Sequence, residues 1–175
     1  MLSILLAAGA AASSFTLTSP DVSREKPIGN KYVFNSFGCS GENVSPALQW
    51  KGAPKNTKSF ALTVYDPDAP TGSGWWHWVV YNIPADTTTL RAGAGDSKGS
   101  GLPTGAAQGN TDFGQPGYGG PCPPPGKPHH YVFTLYALDT DKLDIPPTAT
   151  AAFVGFNIHG HSVGKATFTA TYGRK

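Results

Sequence analysis

Charge is scarce in this sequence. Of 175 residues only 13 are Lys or Arg and 11 are Asp or Glu, for a net charge of +2. The basic residues are scattered, without a run, so the electrostatic footprint of a nucleic-acid binder is missing. Cysteine is scarcer still: Cys39 and Cys122 lie far apart and form no CxxC redox or zinc motif. Neither HExxH nor GxSxG occurs, which removes the sequence signals for a zinc protease and for a nucleophile elbow. Nothing calls for a cofactor or a bound metal. The apolar stretches are too short and too rich in Ala, Gly and Ser to span a bilayer.

What the chain has in quantity is turn formers, with 22 Gly and 16 Pro. One mostly β domain with few helices and long connections is the expectation. Residues 1–14 carry no charged side chain and read as a signal peptide or a disordered N-terminus. Export to a periplasmic or extracellular location follows from the first reading, a cytoplasmic location from the second. In an oxidising compartment Cys39 and Cys122 would form a bridge; otherwise they are buried thiols.

Alternation of apolar and polar residues predicts strands at 15–19, 31–37, 59–65, 76–83, 130–138 and 166–172. The strand at 130–138 has apolar residues on both faces and is expected inside a sheet. CSGENVSPALQW (39–50) reads as loop. The segment 148–162 is the one good helix candidate, with Thr148 or Thr150 as N-cap after Pro146 and Pro147. Two packed antiparallel sheets with one late helix fit this order.

Two stretches carry chemistry. In DPDAPTGSGWWHW (66–78), Pro67 and Pro70 stiffen the backbone around Asp66 and Asp68, with one or both X-Pro bonds expected cis. Strand alternation would put Trp76 and Trp78 on one face and His77 on the other. In GYGGPCPPPGKPHHY (117–131), the amides of Gly119 and Gly120 are placed to form an anion-holding nest. His129 and Tyr131, at i and i+2, then lie on one strand face as two donors.

Together with CSGENVSPALQW, TDFGQPGYGG and AAFVGFNIHGHSVGKATFTATYGR, these motifs resemble the phosphatidylethanolamine-binding protein family, in its bacterial, Raf-kinase-inhibitor-like branch. The resemblance covers residues 15–175 and implies a β-sandwich of two antiparallel sheets with one or two short helices near the C-terminus. It further implies an anion pocket at one edge that holds phosphate, acetate or a phospholipid head group such as that of phosphatidylethanolamine. By matching motif, the pocket residues would be Asp66, His77, Gly120, Pro121, His129 and Tyr131, supported by Asp68, Trp76, Pro67 and Pro70. The implied protein is a binding protein rather than an enzyme, with inhibition of a protease or kinase through the pocket rim as the alternative. His130 stands where many members have Arg, so a loop salt bridge is expected to be lost. The C-terminal helix of eukaryotic relatives is not matched, so a more open pocket is expected and kinase regulation does not carry over. Histidines that protonate near pH 6.5 would make anion affinity rise as pH falls from about 8 to 6.

Overall fold

The computed structural model describes residues 14–175. The leader expected at 1–14 lies outside the described residues apart from Ser14. Eight strands and one helix follow in order. They are β1 (Thr16–Thr18), β2 (Leu48–Lys51), β3 (Ser59–Asp66), β4 (Trp75–Pro84), β5 (Thr89–Leu90), β6 (Ala107–Gln108), β7 (His129–Leu138), α1 (Ala151–His161) and β8 (Ser162–Tyr172). They form a three-stranded sheet, β1-β2-β5, and a five-stranded sheet, β6-β4-β3-β7-β8, with antiparallel pairing throughout.

The large sheet is apolar on both faces because both are covered. On one side Phe60, Leu62, Val64, Trp78, Phe133 and Leu135 meet Leu17, Leu48, Trp50 and Leu90 of the small sheet. On the other, Ala61, Val79, Tyr81 and Leu138 pack against Ala151, Val154 and Ile158 of α1. β7 therefore sits inside the sheet, between β3 and β8, as its two apolar faces predict. The helix begins at Thr150, whose side chain accepts from the Phe153 amide. That bond satisfies one of the free N–H groups of the first turn.

Three expectations fail. Residues 31–37 are not a strand: Asn30–Tyr32 is a 3-10 turn, and Phe37 adopts φ +55°. The reason lies in where the backbone groups go. Val33 and Phe34 carbonyls accept from Asn43 and Gly41, and the Phe34 amide donates to the Pro121 carbonyl, so loops take the place of a neighbouring strand. Conversely Leu48–Lys51, inside a stretch that reads as loop, pairs on both sides as β2. The peptide bonds at Pro67 and Pro70 are trans.

Candidate anion-binding site

Antiparallel pairing brings the end of β3, the start of β4 and the start of β7 to one end of the large sheet. There Asp66, His77, His129 and Tyr131 line one cavity of about 180 Å³. Its remaining wall comes from Phe37, Trp75, Phe113, Cys122, Pro123 and Pro124, with Ala69, Pro70 and Thr71 from the DPDAP turn.

His77 reaches the cavity because the strand is irregular there. Val64 pairs with Trp78 and Tyr65 with Trp76, which leaves His77 as the extra residue of a β-bulge. The bulge breaks the expected alternation. Trp78 joins the core between the sheets, whereas Trp76 lies on the helix side, its ring tilted against Tyr65 with centroids 4.6 Å apart. Trp76 is thus not a wall of the cavity; Trp75 is. The carbonyl of His77 accepts from the Gly119 amide at 2.8 Å, and its ring Nδ1 lies 2.6 Å from the Gly119 carbonyl. A carbonyl only accepts, so Nδ1 carries the proton and the neutral ring keeps Nε2 as an acceptor. Among the described residues nothing hydrogen-bonds Nε2. Burial pushes the His77 pKa down to about 4, against the opposing influence of the Gly119 carbonyl and Asp66. His77 therefore stays neutral from pH 8 to 6, which removes it from the expected gain of affinity by protonation.

Asp66 closes β3 and is buried. Its Oδ1 accepts from the Asp68 amide at 2.8 Å, and its Oδ2 accepts from His129 Nδ1 at 2.7 Å. The carboxylate thereby fixes the orientation and tautomer of His129, leaving Nε2 as that ring's free nitrogen. Asp68 holds the next residue along. Its Oδ2 accepts from both the backbone amide and Nδ1 of His130, at 2.8 and 2.7 Å. These bonds from His130 keep the Asp68 pKa below its ordinary value. The loop contact expected to be lost with Arg is made by His130 instead.

Tyr131 is 1% exposed, and among the described residues its hydroxyl has no hydrogen-bond partner. Burial, and then the Asp66 charge, push its pKa well above the ordinary phenol value, so the hydroxyl remains a donor. The imidazole of His77 stands edge-on to its ring with centroids 5.0 Å apart.

The nest of Gly119 and Gly120 is not free. Gly119 donates to His77 and Gly120 to Asn43 Oδ1 at 2.7 Å. Neither Gly120 nor Pro121 lines the cavity. Their part is in close packing: a Cβ on Gly120 would strike the backbone of Tyr32, Val33 and Phe34. Pro67 is exposed and also outside the wall, whereas Pro70 belongs to it.

Cys39 and Cys122 form a disulfide with Cα atoms 6.0 Å apart, fastening the Phe37 loop to the proline wall. Arg174 donates to the Phe37 carbonyl at 3.2 Å and lies 3.3 Å from both sulfurs. Phe113, which sequence reading misses, packs between Phe34 at 4.5 Å and His77 at 5.4 Å. Among the described residues no three His, Cys, Asp or Glu side chains are grouped to hold a metal ion. Among them too, no helix is long and apolar enough to cross a membrane.

The family model described as phosphatidylethanolamine-binding protein matches residues 18–173. The chain is 50% identical over 164 residues to the UPF0098 protein YbcL of Escherichia coli (strain K12), covering 93% of this chain and 90% of that one. It is 49% identical over 156 residues to YbhB of the same organism, covering 89% and 98%. The crystal structure of E. coli YbcL, presented as a new member of the mammalian PEBP family, matches with a TM-score of 0.90 over 92% of this chain and 99% of that one. With the family model spanning nearly all of the described fold, the chain belongs to the phosphatidylethanolamine-binding protein family.

Proposed function

We propose that this protein is a non-catalytic receptor whose cavity takes a small oxyanion, such as phosphate or a phosphate-bearing lipid head group. The observation that carries the reading is the Tyr131 hydroxyl, buried and unpaired in the wall of a cavity that also presents two imidazoles. A buried hydroxyl without a partner costs free energy, and a ligand oxygen supplies the missing bond. Among the described residues no nucleophile is built into the wall, which supports binding over catalysis. Ser73 is exposed and outside the wall, and the Thr71 hydroxyl donates to the Gly74 carbonyl. The Cys39–Cys122 bridge supports export to an oxidising compartment, periplasmic or extracellular. Titration calorimetry with inorganic phosphate tests the reading. Wild type binds, and His129→Ala binds more weakly by about 1 to 3 kcal/mol, the loss of the hydrogen bond that its free Nε2 makes to the ligand. Equal affinity in the two proteins removes His129 from the site.

One observation favours a second role, inhibition of a protease or kinase through the rim. Phe37 is 65% exposed at the cavity mouth, an unusual position for a large apolar side chain. Capture of a protease or kinase by wild type but not by Phe37→Ser supports that role, and capture by both excludes the rim.

A further inference from the structure

The cavity is rich in acceptors and poor in donors, which has consequences for the ligand. Facing it are the Asp66 carboxylate, already accepting from His129 and from the Asp68 amide, the His129 ring, whose Nδ1 proton is held by that carboxylate, and His77, whose only ring proton is held by the Gly119 carbonyl. Of the neutral donors in the wall, the Thr71 hydroxyl is spent on the Gly74 carbonyl, which leaves, among the described residues, the Tyr131 hydroxyl and the Trp75 indole N–H. The amides that would have formed a nest are taken by His77 and Asn43. No lysine or arginine lines the wall.

We infer that the ligand brings its own proton: the site selects a singly protonated phosphate, inorganic or monoester, over a fully ionised oxyanion or a phosphodiester. This rests on the oxyanion reading above and narrows it. The P–OH group donates to His77 Nε2, a second phosphate oxygen accepts from Tyr131, and the single negative charge sits where a double charge would be repelled by Asp66. The titratable groups near His77 are Asp66 from β3, His129 and Tyr131 from β7, and Asp112 from the loop that carries Phe113. Both carboxylates work against a dianion. Burial keeps the His77 pKa low enough for Nε2 to remain an acceptor at neutral pH. An intact phospholipid carries a diester with no such proton, so the lipid-derived ligand of this chemistry is a released head group in monoester form.

The test is calorimetry on the disulfide-intact protein with four probes at pH 6: inorganic phosphate, methyl phosphate, dimethyl phosphate and sulfate. Phosphate and methyl phosphate are expected to bind roughly ten- to a hundred-fold more tightly than sulfate and dimethyl phosphate, the effect of leaving a buried acceptor unmatched. With a second pKa of about 6 for a phosphomonoester, methyl phosphate affinity should fall about fifty-fold between pH 6 and pH 8 as its protonated fraction falls. His77→Gln, which places an amide donor beside the acceptor, should narrow the gap between phosphate and sulfate. If sulfate and dimethyl phosphate bind as tightly as phosphate, the proposal is overturned while the oxyanion reading stands. If none of the four binds, both fall. Tighter methyl phosphate binding with an unchanged gap in His77→Gln takes the role away from His77 and overturns the assignment.

Discussion

Replacing Tyr131 by Phe separates the demands of folding from those of binding. The ring is 1% exposed and packed in the core, and Phe retains that packing. What disappears is one hydroxyl with no protein partner. Desolvating such a group without a hydrogen bond costs about 1 to 3 kcal/mol, so the variant should be more stable than wild type by about 1 kcal/mol in phosphate-free buffer. For a domain of this size that is a rise of roughly 2 to 4 °C in Tm. Phosphate affinity should move the other way, weakening by about 1.5 to 3 kcal/mol with the loss of a bond to a charged ligand. Thermal unfolding without phosphate and calorimetry with it give the two quantities on one preparation. A variant that is less stable than wild type and binds phosphate equally well would falsify the assignment of this hydroxyl to a ligand.

Three other perturbations follow from the same contacts. The folded state holds the His77 pKa down at about 4, so below pH 6.5 the unfolded chain takes up a proton that the folded chain refuses. This contribution to stability is intact above pH 6.5 and lost towards pH 4, by about 3 kcal/mol. Urea unfolding at pH 7 and pH 4 should show His77→Gln losing less than wild type by about that amount; identical losses would contradict it. Reducing the Cys39–Cys122 bridge opens a loop of 83 residues' separation, worth about 4 to 5 kcal/mol in the chain-entropy model. It also frees the Cys122 wall, so denaturant midpoint and phosphate affinity should fall together under reductant, and a change in only one would uncouple wall from fold. Gly120→Ala puts a Cβ into the backbone at Tyr32 to Phe34, and should destabilise by about 1 to 3 kcal/mol, as overpacking does. An unchanged unfolding midpoint would show that this close approach relaxes without cost.

Much of the site was legible in residue order. Asp66 at a strand end and His129 with Tyr131 at a strand start meet because β3 and β7 are antiparallel neighbours, and both strands follow from their apolar alternation. Trp76 departs from the expected face because the period of two is broken: the extra residue of the bulge turns His77 and Trp78 to the same face. Register between strands is a tertiary property, and no local residue choice at 75–78 announces the slip. The glycine nest failed for a similar reason: its amides are claimed by His77 and Asn43, the latter at φ +55° and 77 positions away. Residues 31–37 have strand composition but are held by loops, because burial of Tyr32, Val33 and Phe34 satisfies the same apolar pattern without a ladder. Phe113 and Phe37 sit in Gly-rich surroundings that carry no periodic signal, so their place in the wall depends on the folded loops alone.

The proposed phosphate receptor joins the end of β3, the bulge of β4 and the start of β7. Nitrogen NMR of the imidazoles during a phosphate titration at pH 6 tests it most directly. Before phosphate is added, His77 is expected neutral and Nδ1-protonated, with saturable shifts of both His77 Nε2 and His129 Nε2 along one binding curve. A His77 ring found protonated at Nε2, or ring signals of both residues unmoved by saturating phosphate, would contradict it.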